Sequence, residues 1–181
     1  MITQTPLQIG SKLPEFNLPA TDGKNYSPGS FNSSKVLVVM FTCNHCPYVQ
    51  AYEDRLIKLQ SDFKDKGISF VAINSNDENN YPQDSFENMI KRAKEKSSNF
   101  SYLRDKTQEV ARRFGATRTP EVFVFDKERI LRYHGEIDDN WKELDKVTKH
   151  TLREALDALL SNKPVSEPET HAIGCTVKWM S

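Results

Sequence analysis

Cysteine is scarce in this chain, and so are net charge and long apolar runs. Three cysteines in 181 residues leave one unpaired however they are joined, which excludes the disulfide framework of a small secreted domain. Basic and acidic residues balance at 25 each, so no net field points to nucleic acid or to an anionic membrane as partner. No apolar stretch approaches the ~20 residues of a membrane helix, and Met1-Ile2-Thr3-Gln4-Thr5-Pro6 lacks the basic region and apolar core of a secretion signal. The expectation is a cytoplasmic protein, in a compartment where a disulfide is more often catalytic than structural. There is no internal repeat or low-complexity tract, and the length suits one domain with a sizeable core.

Two of the few cysteines stand together in Cys43-Asn44-His45-Cys46, directly after the apolar run Val36-Leu37-Val38-Val39-Met40-Phe41. The run reads as a strand buried on both faces, and helical periodicity follows it. The motif therefore belongs to a strand-to-helix turn. There the unpaired N–H groups and the positive end of the helix dipole favour a thiolate, and two cysteines three apart can close a disulfide with little backbone movement. The competing readings are two buried structural cysteines, half a zinc site, or a stabilising disulfide. A structural zinc site needs four ligands, whereas only Cys175, His134, His150 and His171 remain, scattered along the chain. Redox chemistry is the preferred reading, with neither metal nor cofactor called for.

The remaining elements follow from periodicity and turn residues. Asp22-Gly23 between Leu13–Leu18 and Asn25-Tyr26 reads as a hairpin. Val49, Tyr52, Leu56, Leu59 and Phe63 fall three and four apart, which predicts a helix stopped at Gly67. Ile68 to Ile73 reads as a second buried strand, and Asp84 or Ser85 as the cap of a helix carrying Phe86, Met89, Ile90 and Ala93. Tyr102-Leu103 is too short to assign. A brief helix from Thr107 to Phe114 precedes a third strand, Val122 to Phe125, and an antiparallel fourth, Ile130 to Tyr133. Thr151 to Leu160 is an amphipathic closing helix. The expected fold class is α/β, a central mixed sheet flanked by helices. Residues 1–160 form one domain, of which 1–35 are a hairpin-bearing N-terminal extension, and 161–181 form a C-terminal tail that is loosely structured as far as Ile173.

This order of elements, with Cys43-x-x-Cys46 after the first core strand and Thr119-Pro120 before a later one, resembles the thioredoxin fold over most of residues 30–160. The opening Gly10-Ser11-Lys12-Leu13-Pro14-Glu15-Phe16-Asn17-Leu18 with Asp22-Gly23-Lys24 is similar to the alkyl hydroperoxide reductase/thiol-specific antioxidant branch. Phe41 to Val49, Thr119 to Asp126 and Gly174-Cys175-Thr176-Val177-Lys178-Trp179 together resemble a little-characterised bacterial group within it. The resemblance implies a cis Pro120 lying against the disulfide, and a Thr119 backbone that pairs with a bound substrate chain. Only X–Pro bonds adopt cis cheaply, in agreement with that placement. The chain also departs from its relatives. The peroxiredoxin pattern Pro-x-x-x-Thr-x-x-Cys would need proline and threonine where Val39 and Cys43, or Val36 and Met40, stand. Thr42 replaces the tryptophan that usually precedes the first thioredoxin cysteine, and Val36 to Phe41 contain no counterpart of the thioredoxin buried acid.

Cys43 is accordingly expected to be the low-pKa nucleophile, and Cys46, one turn into the helix, the resolving thiol. His45 resembles the intervening histidine of disulfide isomerases; its ring can stabilise the Cys43 thiolate or simply face solvent. Pro47 suits a first helical turn. Arg118 is either a source of positive potential or a surface residue. Glu121 would be a substitute proton acceptor near Cys46 if it points inward. Cys175 reads as a second resolving thiol or as a packed small hydrophobe, the structural reading being preferred. The expected function is thiol-disulfide oxidoreductase acting on protein or small-molecule disulfides, with a thioredoxin- or glutathione-type reductant. The alternatives are a peroxiredoxin-like thiol peroxidase and a copper-binding or redox-sensing protein holding Cu(I) through Cys43, Cys46 and a histidine.

Overall fold

The computed structural model describes residues 5–181, so the part of the missing-signal reading that rests on Met1 to Gln4 lies outside the described residues. Strands β1 (Leu18–Pro19) and β2 (Asn25–Tyr26) form the expected hairpin around Gly23, whose φ of 83° the turn requires. The strand β3 (Val36–Phe41) ends at the thiol turn, and α1 (Pro47–Phe63) leaves it. Then come β4 (Ile68–Asn74), α2 (Phe86–Glu95), β5 (Ser101–Arg104) and α3 (Glu109–Phe114). The chain closes with β6 (Arg118–Thr119), β7 (Glu121–Phe125), β8 (Leu131–Gly135), α4 (Thr151–Leu160) and β9 (Cys175–Thr176).

The central sheet has the order β5-β4-β3-β7-β8. The pairs β3/β4 and β4/β5 are parallel, while β3/β7 and β7/β8 are antiparallel. Its side chains divide by strict alternation. Val36, Val38, Met40, Val122 and Val124 point to the face covered by α1, α2 and α4, and Leu37, Val39, Phe41, Phe123 and Phe125 to the face covered by α3 and the N-terminal segment. The two-sided burial that the unbroken apolar runs predict is thus met. All five periodic residues assigned to α1 are buried. In α2, by contrast, Met89 is buried while Ile90 is exposed, because the helix packs through a narrower stripe than its composition suggests.

Two expectations need correction. Tyr102-Leu103 belongs to a fifth strand, whose four residues are supported by parallel pairing to β4 rather than by any local pattern. The tail is also bound more closely than its composition suggests. Pro168 and Thr170 exchange backbone hydrogen bonds with His134, and β9 pairs antiparallel with β6 beside the thiol turn. Among the described residues no helix is long and apolar enough to cross a membrane.

Candidate active site

The apolar strand β3 carries the chain to the sheet's C-terminal edge, and Cys43 lies two residues beyond its end. Cys46 is the N-cap of α1, with extended backbone (φ −72°, ψ 126°), and Pro47 opens the helix. This corrects the expected spacing: Cys46 sits at the helix entrance rather than one turn in, and Cys43 stands three residues before it. Pro47 is the reason, since its ring cannot follow a helical residue 46 comfortably and its missing N–H costs least at the first position. All three cysteines are free thiols, Cys43 and Cys46 buried and Cys175 half-buried.

The peptide bond between Thr119 and Pro120 is cis. Thr119 meets both motif sulfurs: its Oγ1 lies 3.5 Å from Cys43 Sγ, and its carbonyl oxygen 3.3 Å from Cys46 Sγ. Cys175, which pairs with Thr119 across β9 and β6, places its Sγ 2.8 Å from Cys46 Sγ. Cys175, read as a packed small hydrophobe or a second resolving thiol, thus packs directly against Cys43, Cys46 and Val49. The pairing with β6 brings a residue 129 positions away into the site.

The protons of the two motif thiols depend on one another. Cys43 is pushed up, first by the hydrogen bond it gives to Cys46, then by burial and by the negative charge of Asp84. Cys46 is held down by that same hydrogen bond, against its own burial. The Cys175 thiol and the backbone N–H groups of Val49 and Cys175 assist, although the Val49 contact falls short of a capping hydrogen bond. Cys175 is pushed up by burial and by its hydrogen bond to Cys46. The two motif thiols therefore titrate as a pair, the ionisation of one sulfur opposing that of the other.

Asp84 is the site residue that sequence reasoning missed. It is fully buried and accepts hydrogen bonds from the Asn44 N–H (2.6 Å), Asn76 Nδ2 (2.8 Å) and Asn74 Nδ2 (3.3 Å). Ser85 performs the capping instead, accepting from the Asn88 N–H. The polar stretch after β4 carries the missed signal: Asn74, Ser75, Asn76 and Asp77 are all buried, and polar groups are buried where they have partners. Tyr102 completes the network, its hydroxyl donating to Asn44 Oδ1 at 2.9 Å. Replacing Asp84 with asparagine removes the charge at nearly constant volume. The Cys43 thiol should then ionise more readily, read as faster alkylation of Cys43 at fixed pH than in wild type; an unchanged rate would show that the Asp84 field does not govern Cys43.

The other expected residues divide. His45 Nδ1 lies 2.6 Å from Asp84 Oδ2, off the line of a hydrogen bond, and its ring stacks on Tyr81 at 5.8 Å. It is therefore committed to Asp84, while Cys43 finds its oxygen partner in Thr119. Glu121 is buried as a proton acceptor would be, but its carboxylate is fully engaged. His134 Nε2 lies 2.6 Å from one oxygen, and the Thr117 and Arg118 N–H groups donate to the other at 2.8 and 2.9 Å. Glu121 thereby holds the backbone leading into Thr119. Arg118 donates to the Gly174 carbonyl at 3.2 Å and so fastens the tail. For a metal, donor atoms of Cys43, His45 and Asp84 lie within 4.8 Å of one another among the described residues. That set, with its carboxylate, suits a borderline ion better than the soft Cu(I).

A family model described as Redoxin matches residues 8–156. The chain is 43% identical to an uncharacterized conserved protein from Geobacillus kaustophilus, over 96% of this chain and 93% of that one, with a TM-score of 0.91. It is 36% identical to a hypothetical protein from Sinorhizobium meliloti, over 98% and 97% of the two chains, with a TM-score of 0.92. A thiol:disulfide interchange protein of the thioredoxin family from Chlorobium tepidum shares the fold at 19% identity, over 83% of this chain and 97% of that one, with a TM-score of 0.65. No curated protein matches the chain.

Proposed function

The chain belongs to the Redoxin family, and on that premise we propose a thiol-disulfide oxidoreductase of the thiol-specific antioxidant branch working through Cys43 and Cys46. The observation that carries the reading is the pair of free, proton-sharing thiols at the α1 entrance, both facing Thr119 before a cis proline. One motif sulfur, as thiolate, attacks one sulfur of a disulfide, and the other sulfur leaves as a thiolate and takes up a proton. The second motif sulfur, on losing its proton, attacks the first, closing the Cys43–Cys46 disulfide and releasing the remaining thiol. Two electrons have then passed from the protein to the substrate, and a thioredoxin- or glutathione-type thiol returns them. The reading includes a cytoplasmic location, where such reductants keep thiols free.

A thiolate stabilised by two neighbouring thiols favours the reduced state, so the couple should be more oxidising than thioredoxin at about −270 mV. Equilibration with glutathione buffers, followed by trapping of free thiols, measures it. A reversible two-electron couple supports the reading; a protein that forms no internal disulfide at any glutathione ratio removes it. Peroxide consumption without such a couple would instead favour the peroxidase, and copper retained through purification the metal-binding alternative.

A further inference from the structure

The segment Gly174–Lys178 lies along the strand edge at Thr119. Arg118 pairs with Thr176 and Thr119 with Cys175, in antiparallel register. The Val177 N–H donates to the Thr117 carbonyl at 3.0 Å. Gly174 permits the approach: a Cβ there would lie 2.2 Å from the Thr119 carbonyl oxygen. Beyond Cys175 the tail is fastened by polar groups from the segment after β4 and from Gln108. Gln108 Nε2 and the Asp77 N–H both donate to the Lys178 carbonyl at 2.8 Å, and the Lys178 N–H donates to Asn76 Oδ1 at 2.9 Å. Trp179 is held under Arg112, whose guanidinium carbon sits 4.7 Å from the ring centre. An extended peptide that adds to a strand edge with a thiol against the reactive sulfur is how a disulfide substrate would be held. Here the chain supplies that peptide itself.

We propose that Cys175 is a third redox thiol of the centre, carried on a tail that occupies the Thr119 edge as a tethered substrate, and that Cys46–Cys175 is one of its oxidised states. The proposal rests on the thiol-disulfide reading of Cys43 and Cys46. Its basis is the 2.8 Å separation of Cys46 Sγ and Cys175 Sγ, a short closing movement from the ~2.0 Å of a bond. Cys175 is also the most exposed of the three thiols, whereas Cys43 and Cys46 are 2% and 0% exposed. An external disulfide therefore meets Cys175 first. The Cys175 thiolate attacks one sulfur, and the other departs and is protonated. Cys46 thiolate then attacks Cys175 Sγ, expelling the second substrate thiol and forming Cys46–Cys175. Cys43 finally attacks Cys46 Sγ, forming Cys43–Cys46 and returning Cys175 as a thiol. The overall change is two electrons and two protons from the protein to the external disulfide, and the last step only moves the disulfide inward.

The test is oxidation of the full chain with one equivalent of diamide, acid quenching, alkylation and mapping of non-reduced tryptic peptides, in wild type, Cys43→Ser and Gly174→Val. With Cys43→Ser, the peptide carrying Cys46 should be joined to the one carrying Cys175, with both thiols lost together and regained on reduction. Gly174→Val pushes the tail from Thr119 and leaves the central sheet untouched. It should reduce this cross-link at least tenfold while Cys43–Cys46 still forms. If Cys43→Ser keeps both thiols alkylatable while wild type forms Cys43–Cys46, the third thiol is overturned and the two-thiol reading stands. Should folded wild type and Cys43→Ser both fail to form any internal disulfide, the two readings fall together. Undiminished cross-linking in Gly174→Val would overturn the tethered-substrate arrangement.

Discussion

Serine in place of Cys46 should abolish turnover of a disulfide substrate, stopping the reaction after its first step, whereas serine in place of Cys43 should let it pass to the second. The difference follows from the order of the sulfurs. Cys46 Sγ lies 2.8 Å from Cys175 Sγ and stands at the helix entrance, three residues from Cys43. Cys43 lies deeper, beside the charge of Asp84, and keeps its proton. Both other cysteines are placed to form a disulfide with Cys46, so no internal exchange bypasses it in this arrangement. Single-turnover reaction with a chromogenic disulfide, read as thiol released per protein, separates the two variants. Cys46→Ser should release one thiol per protein and stop as a mixed disulfide on Cys175, and Cys43→Ser should release two and end as Cys46–Cys175. The opposite pattern, with Cys43→Ser inert and Cys46→Ser releasing both thiols, would remove Cys46 from the centre of the exchange and refute this order. Far-ultraviolet circular dichroism is a sufficient folding control, because a single sulfur-to-oxygen change leaves the sheet intact.

The largest loss of stability should come from Phe114→Ala. This ring is fully buried at the end of α3 and touches three others, with centroids 5.1 Å from Phe41, 5.2 Å from Phe123 and 6.0 Å from Phe125. Truncation removes its buried surface and the edge-to-face contacts and opens a cavity that the paired strands β3 and β7 cannot close, a change that costs about 3–5 kcal/mol. For a chain of this length that corresponds to a melting temperature lowered by roughly 6–20 °C. Thermal denaturation of the reduced protein checks it, and a fall of less than a few degrees would show that the helix α3 shifts to fill the space. Phe41 is the last residue of β3, two before Cys43, so the same cluster supports the thiol turn from beneath. At temperatures well below melting, the exchange rate should nevertheless remain near wild type, because Cys43 and Cys46 are placed by their contacts with Thr119 and Cys175, away from this cluster.

Most of the scaffold was legible because its cause is local. Val36–Phe41 is uniformly apolar since both faces of β3 are covered, and Val49, Tyr52, Leu56, Leu59 and Phe63 repeat at helical spacing since one side of α1 is buried. Gly23 and Gly67 mark positive φ, where other residues are strained. The short β5 escaped notice because its support is the neighbouring β4, not a pattern of its own. Asp84 escaped notice for a related reason. A lone aspartate before a helix looks like a cap, and only the folded chain turns it inward to Asn44, Asn74 and Asn76.

Pattern and motif chemistry alone settle the α/β order and the two thiols at a strand-to-helix turn, and the resemblance to thioredoxin-like proteins implies the threonine-proline pair beside them. Tertiary packing decides what surrounds the two sulfurs, what Asp84 and Glu121 hold, and where Cys175 goes. The reason is physical. Periodicity and turn residues report interactions within a few positions of one another, whereas a thiol's proton affinity and its partners depend on groups brought within a few ångströms from distant parts of the chain. Thr119 reaches Cys43 across 76 positions, and Cys175 reaches Cys46 across 129.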